Sequence, residues 1–176
     1  MKMHSIAGAL ADLAFAAAQT PASPQTSPLP GGATSLQETY QDWQVACVAQ
    51  ANAKRCGLSQ QQTGQNRQRV LAIELALGDG NSLTGTLILP FGLLLDIGVA
   101  AQIDDKPVGK PLRFRTCLPV GCILPLHFEG ATAAALRAGT ILKFIATPNE
   151  RSESITFAVS LKGFAAALNR TAVLVK

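Results

Sequence analysis

The sequence is poor in the residues on which many functional sites depend. Its 176 residues include two histidines, one tryptophan and one tyrosine, and charged residues make up only 15% of the chain. The aromatic content of 5% argues against a stacking platform for single-stranded nucleic acid. After the first 20 residues, no apolar run approaches the roughly 18 residues of a membrane-spanning helix. A P-loop, a GxSxG nucleophile elbow and a dinucleotide-binding glycine motif are also absent, so no common class of enzyme is indicated.

The sequence does contain enough apolar material for a folded domain. Hydrophobic residues form 48% of the chain, which excludes disorder throughout. The net charge of +4 is small and the basic residues are scattered, so no nucleic-acid partner is predicted. A chain of this length accommodates one domain with a tail rather than two large domains.

The first 37 residues are predicted to precede the folded domain. In residues 1–18, Lys2 is followed by an apolar stretch that fits an export signal, with cleavage after Ala18 favoured over cleavage after Ala16. Asp12 interrupts this stretch, and an amphipathic helix packed on the domain is the alternative. Residues 19–37 are rich in proline, which fixes φ and donates no hydrogen bond. The predicted organisation is therefore a signal peptide (1–18), a Pro-rich disordered tether (19–37), a folded domain (38–170) and a C-terminal tail (171–176).

Short strands dominate the predicted domain. Apolar residues alternate along 42–48, which is typical of a half-buried strand. The turn residues 78–81 separate 69–77 from 83–89, and these two segments are predicted to form a hairpin. Further strands are predicted over 99–103, 111–117, 122–128, 140–147 and 154–161, and short helices over 131–138 and 163–169. Because long crossover helices are missing, the expected class is all-β: a β-sandwich or partly open barrel of short, mostly antiparallel strands.

The four cysteines fall into two local pairs. Cys47 and Cys56 are separated by eight residues, and Cys117 and Cys122 by four. Four cysteines permit three pairings, and proximity favours 47–56 and 117–122. A zinc site is the alternative, although only the second spacing falls within the usual range of zinc-binding hooks. With an export signal in front, disulfide bonds and a periplasmic or secreted location are predicted, and neither a cofactor nor a metal ion is expected.

The titratable residues do not predict an active site. His127 lies near the end of a predicted strand, and Glu74 and Asp96 are isolated carboxylates in apolar surroundings. General acid–base catalysis requires groups that meet and have separated pKa values, and the sequence gives no reason for these three to meet. A non-enzymatic protein is therefore predicted. An extracytoplasmic hydrolase with an unrecognised site around these residues is the alternative.

Two arginines beside the second cysteine pair form a candidate binding site. Arg113 and Arg115 lie on a predicted strand, where both side chains would share one face and could bind a phosphate or a carboxylate. The apolar loop at the end of this strand, within the predicted small disulfide ring, consists of Leu118, Pro119 and Val120. Arginine beside a rigid apolar protrusion is typical of interaction hot spots. The alternative is a solvated strand face next to a turn that the disulfide merely holds.

Several motifs occur in a fixed order between about residues 40 and 170. They are Asp42-Trp43-Gln44-Val45-x-Cys47, Cys56 followed by Gln60-Gln61, Leu89-Pro90-x-Gly92 followed by Gly98-Val99, Pro111-Leu112-x-Phe114-x-Thr116-Cys117-Leu118-Pro119-x-Gly121-Cys122, and Val159-Ser160-Leu161-x-Gly163-Phe164-x-Ala166-Ala167-Leu168. In these motifs the chain resembles the invasion-associated locus B family of exported alphaproteobacterial proteins. It departs from the family pattern at Gln41, where glycine is usual.

The resemblance implies a secreted or periplasmic all-β protein with local disulfide bonds and no established catalytic residues. The family is named for a role of some members in host-cell invasion, but fold and family do not fix function. The predicted partner is a protein or polysaccharide of the envelope or of a host surface. The chain is not predicted to span a membrane once the signal is removed.

Overall fold

The computed structural model describes residues 29–50 and 53–176. The predicted signal peptide and the tether up to residue 28 lie outside the described residues. Within the described residues the strands are β1 (Ser35–Tyr40), β2 (Trp43–Gln50), β3 (Ala53–Thr63), β4 (Arg69–Leu77), β5 (Leu83–Leu89), β6 (Ala100–Ile103), β7 (Lys106–Pro107), β8 (Thr116–Leu118), β9 (Gly121–Phe128), β10 (Ile141–Ala146) and β11 (Ile155–Ser160). The helices are α1 (Gly130–Ala138) and α2 (Phe164–Leu174).

The strands form two antiparallel sheets. The large sheet has seven strands in the order β1-β2-β3-β4-β5-β9-β8, and the small sheet has four in the order β11-β10-β6-β7. Every pair of neighbouring strands is antiparallel. The all-β class predicted from the sequence is therefore confirmed.

Alternation along each strand decides which face of the large sheet is buried. In β2, Trp43, Val45 and Cys47 are buried, whereas the residues between them are exposed. Side chains along a strand point to opposite faces, so a slip of one residue would bring this whole apolar set to solvent. The buried face packs against α2 and the small sheet, and it forms one continuous hydrophobic core.

Side chains of the large sheet donate hydrogen bonds to backbone carbonyl groups at the free edge of the small sheet. β11 is an edge strand, so the carbonyl groups along its outer side require hydrogen-bond donors. Trp43 Nε1 and Gln60 Nε2 both donate to the carbonyl oxygen of Ser160, at 2.8 and 3.0 Å. Gln62 Nε2 donates to the carbonyl oxygen of Ala158 at 2.6 Å. These bonds hold the two sheets together without a continuous ladder.

An ion pair joins β1 to α2. Arg170 donates from Nε and from one terminal nitrogen to the two carboxylate oxygens of Glu38, each at 2.8 Å. The Tyr40 hydroxyl donates to the same carboxylate at 2.8 Å. Hydrogen bonding from Arg170 is the main reason that the pKa of the Glu38 carboxyl is lowered, and it outweighs the opposing effect of burial.

The folded region is longer at both ends than the sequence predicts. β1 begins at Ser35, inside the segment predicted as tether, and Leu29 is already buried. α2 continues to Leu174, so most of the predicted tail belongs to this helix. The helix buries residues at helical spacing through its last turn, and Leu174 is itself buried. The predicted domain bounds of 38 and 170 were therefore too narrow.

The predicted strand over 111–117 is also wrong. Residues 113–115 lie outside any strand, and only the last two residues of the prediction belong to β8. Instead, Leu112 forms an isolated bridge with Val99 of the loop that precedes β6. Gly98 permits this close approach, because a Cβ atom there would lie 2.3 Å from the carbonyl oxygen of Leu112. Arg113 and Arg115 are consequently on an irregular segment rather than on one face of a strand.

Candidate functional site

Each disulfide joins two residues that face each other in neighbouring strands. Cys47 of β2 is in register with Cys56 of β3, and Cys117 of β8 with Cys122 of β9. Both bonds are present, with Cα–Cα distances of 4.1 and 3.9 Å. Because all four sulfur atoms are bonded in this way, none is a thiolate ligand for zinc. The pairing predicted from proximity is confirmed.

The second disulfide closes a hairpin whose tip exposes apolar side chains. The turn residues Pro119 and Val120 connect β8, only three residues long, to β9. Leu118 is 47% exposed and Val120 is 49% exposed. Gly121 brings the hairpin close to β5, since a Cβ atom there would lie 2.6 Å from the carbonyl oxygen of Leu89.

A second loop, residues 90–98 between β5 and β6, exposes three more large apolar side chains. Phe91 is 60% exposed, Leu95 46% and Ile97 54%. Leu93 points the other way: its side chain is buried in the core, and its backbone forms a bridge with the segment that follows β10. The loop therefore has one anchored position between its exposed apolar residues.

Backbone hydrogen bonds brace this loop against the turn after β10. The Leu94 amide donates to the Thr147 carbonyl oxygen, and the Asn149 amide donates to the Gly92 carbonyl oxygen, both at 2.8 Å. A loop held in this way loses little further conformational entropy when its side chains meet a partner.

The 90–98 loop is joined at both of its ends to residues 112–122, the segment that leads into and contains the hairpin. At one end, Leu89 of β5 is in register with Cys122 of β9. At the other, Val99 and Leu112 exchange two backbone hydrogen bonds of 2.9 and 2.8 Å. Between these points, a cleft of about 320 Å³ lies between the 90–98 loop and the segment that precedes β8, lined by Ile97, Lys110, Pro111 and Arg113. The 90–98 loop and residues 110–122 therefore contribute to one surface.

We call this surface the apolar-basic rim and define it by Phe91, Leu95, Ile97, Lys110, Arg113, Arg115, Leu118 and Val120. Nine large apolar side chains are exposed among the described residues, and five of them belong to the rim. Its three basic side chains are exposed, and none takes part in the ion pairs of the described residues. Asp96 is the one carboxylate in the 90–98 loop and residues 110–122.

The titratable residues considered from the sequence do not meet. His127 and Glu74 lie on the exposed face of the large sheet, two strands apart, with Thr84 and Thr86 of β5 between them. Strand spacing and residue rise place their Cα atoms about 12 Å apart. The His127 ring instead contacts the Glu129 carboxylate, at 2.9 Å, and Asp96 lies in the 90–98 loop. Within the described residues these three groups therefore do not share a cleft.

The structure brings the predicted binding residues together with others that sequence reasoning missed. Arg113, Arg115 and the 118–120 loop all lie on the rim, but Phe91, Leu95 and Ile97 were not predicted. These three residues are apolar, as residues of a core segment would be, so composition alone does not distinguish them from buried residues. The sequence does contain one signal for an exposed loop here, because the segment includes Pro90, Gly92 and Gly98.

Comparison with known proteins assigns the fold to a family. Residues 43–172 match the family model for "Invasion associated locus B (IalB) protein". This range contains both disulfides and the entire rim. The chain belongs to the invasion-associated locus B family.

Individual members of the IalB family confirm this assignment. The chain is 46% identical over 149 residues to an Invasion protein B homolog of Brucella abortus strain 2308, covering 84% of this chain and 86% of the relative. It is 34% identical over 172 residues to Invasion protein B of Bartonella bacilliformis, covering 95% and 92%. The crystal structure of invasion associated protein B from Bartonella henselae superposes with a TM-score of 0.74 at 35% identity, over 79% of this chain and 96% of that one.

Proposed function

We propose that this IalB-family member is an extracytoplasmic, non-enzymatic binding protein whose contact surface is the apolar-basic rim. The observation that carries the proposal is the concentration of exposed large apolar side chains on two braced loops beside three basic side chains. Scattered single apolar residues are normal on protein surfaces, whereas a cluster of them marks an interaction site. The separation of His127, Glu74 and Asp96 supports a role other than catalysis.

The partner that complements the rim carries negative charge and exposed apolar groups. A polysaccharide offers few apolar groups, so the rim gives that alternative less support. The relatives carry the name Invasion protein B. A docking role at an envelope or host surface is compatible with those names.

The two disulfides and the apolar character of residues 1–18 support a location outside the cytoplasm, periplasmic or secreted, because disulfides persist in oxidising compartments. In the part of the chain that the structure describes, neither helix is long and apolar enough to cross a membrane. Mass spectrometry of the protein from an envelope fraction should show a mature chain that begins at Ala17 or Gln19. A cytoplasmic protein that retains residues 1–18 would contradict the proposed location.

A binding assay with isolated bacterial envelopes tests the contact surface. We expect Arg113→Glu with Arg115→Glu to abolish sedimentation with the envelopes and to leave the melting temperature within a few degrees, since both side chains are exposed. Lys54→Glu with Arg55→Glu, on β3, makes the same charge change three strands away from β9 and should bind like the wild type. Unchanged binding by the folded rim variant would refute the proposal.

A further inference from the structure

We propose that the rim docks on the anionic surface of a lipid bilayer, an inference that rests on the proposed function and names its partner. The rim would place its apolar side chains among the upper acyl segments, and its basic side chains would bind lipid phosphates. Interfacial segments that combine an apolar surface with Lys and Arg bind membranes in this way.

The composition of the rim favours lipid over protein as the partner. Hot spots of protein interfaces are enriched in Trp and Tyr as well as Arg, whereas Leu and Val are under-represented, and the rim has arginines but neither Trp nor Tyr. The apolar side chains of the rim are two leucines, an isoleucine, a valine and a phenylalanine. Such side chains gain free energy by leaving water, and a fluid hydrocarbon layer accepts them without a matching pocket.

The placement of the rim suits a planar surface. β5 ends at Leu89 where β9 begins, so the 90–98 loop and the tip of the β8–β9 hairpin project from the same end of the large sheet. Side chains at such an end reach a bilayer before the rest of the molecule does. Insertion by 5–10 Å, which is typical of interfacial segments, requires side chains of this length and no burial of sheet backbone.

The cleft between the 90–98 loop and residues 110–113 has both apolar and cationic groups, as binding of a lipid requires. Ile97 and Pro111 give it an apolar wall, and Lys110 and Arg113 give it two positive charges. A guanidinium group binds phosphate oxygens in a bidentate manner, and a lysine beside it adds a point charge. A head-group phosphate would therefore lie between the cations while an acyl segment lies against the wall.

The charges around the rim set the orientation of docking. Lys110, Arg113 and Arg115 belong to the hairpin side of the rim. The turn that braces the 90–98 loop on its other side carries Glu150, Arg151 and Glu153. The basic side would therefore face the anionic surface while the acidic turn tilts away.

Flotation with lipid vesicles tests the inference on the purified, disulfide-bonded protein. We expect binding to vesicles of equimolar phosphatidylglycerol and phosphatidylcholine, weak or no binding to phosphatidylcholine alone, and a decline of binding as salt is added. Replacing Arg113 and Arg115 by glutamine should weaken binding roughly thirtyfold. Each basic residue near an anionic surface contributes about 1 kcal/mol, and a loss of about 2 kcal/mol corresponds to this ratio.

A matched pair of valines separates insertion at the rim from general surface effects. Val120 at the hairpin tip is 49% exposed, and Val48 on β2 is 48% exposed. We expect Val120→Glu to weaken vesicle binding at least tenfold and Val48→Glu to change it less than twofold. Equal loss in both variants would overturn docking through the rim.

The outcomes for lipid and for envelopes distinguish the two proposals. If anionic vesicles are not bound while envelope binding still depends on Arg113 and Arg115, the partner is a protein or polysaccharide of the envelope. The lipid inference is then wrong, and the proposed function stands. If neither vesicles nor envelopes are bound, both proposals are wrong.

Discussion

Replacement of Gly163 by alanine should destabilise the protein far more than a typical surface substitution. Gly163 immediately precedes α2 and has a φ of +83°. A Cβ atom at this position would lie 2.0 Å from the carbonyl oxygen of Tyr40, at the end of β1. Real Cβ atoms essentially never come within 3.0 Å of such an atom, so either β1 or the start of α2 must move.

The cost of this substitution has two parts. The left-handed backbone conformation costs an alanine about 1–2 kcal/mol. The forced shift disturbs the buried contact between Trp43 and Phe164, whose ring centroids are 4.9 Å apart, and overpacking of this kind costs about 1–3 kcal/mol. We therefore expect Gly163→Ala to lower the free energy of unfolding by about 2–5 kcal/mol.

Gly109→Ala is the matched control. Gly109 has a φ of +63°, and a Cβ atom there would meet nothing within 4 Å. This variant should lose about 1 kcal/mol, because only the conformational cost remains and the stiffer unfolded chain offsets part of it. Urea unfolding followed by circular dichroism, with the disulfides intact, measures both values. If the two variants differed by less than about 1 kcal/mol, the close approach of Gly163 to Tyr40 would not restrict this position.

Three further predictions concern other parts of the fold. Replacing Cys117 and Cys122 together by serine should lower the free energy of unfolding by about 2 kcal/mol, the chain-entropy value for so small a ring, and an unchanged value in urea would contradict this. Arg170 holds the pKa of the Glu38 carboxyl below its ordinary value of 4.5, so the ion pair stabilises the protein above that pH and the stabilisation is lost as the pH falls through the lowered pKa. The difference in melting temperature between wild type and Glu38→Gln should therefore be constant near neutral pH and vanish in acid; a difference that grows in acid would refute the assignment. Trp43→Phe should cost about 1–2 kcal/mol in urea unfolding, because the indole hydrogen bond is lost while most of the packing remains, and a loss above about 4 kcal/mol would show that the ring size matters more.

The hairpin of β4 and β5 could be predicted from the sequence almost to the residue. Its two apolar segments are separated by Gly78-Asp79-Gly80-Asn81, and the structure has strands over Arg69–Leu77 and Leu83–Leu89. Local signals sufficed here because turn chemistry and burial indicate the same boundaries.

β1 and β3 were not predicted, for a physical reason that they share. Their inward positions include polar residues, namely Glu38 in β1 and Gln60 and Gln62 in β3. These side chains are satisfied by Arg170 and by the carbonyl groups of β11, more than 90 residues away in the sequence. A search for apolar alternation does not detect such strands. The hydrogen-bond partners that offset the cost of burying these polar side chains come close only in the folded protein.

The rim could be predicted only in part. Its arginines and the 118–120 loop follow one another in the sequence, so local reasoning could group them. Phe91, Leu95 and Ile97 join them through the Leu89–Cys122 register and the Val99–Leu112 bridge, which are contacts between distant segments. The error over residues 111–117 has the same origin, because a bridge to Val99 replaces the strand that the local pattern indicates.

The cross-strand placement of the disulfides also bears on how the chain acquires them. Each bond closes within one hairpin, across nine or five residues, and neither requires the two sheets to have met. Each thiol therefore finds its native partner as the nearest one in the unfolded chain, since the cost of closing a loop rises with its length. Oxidation does not have to wait for the distant strands to assemble. We therefore expect an oxidant alone, without a catalyst of disulfide exchange, to be sufficient for both native bonds to form.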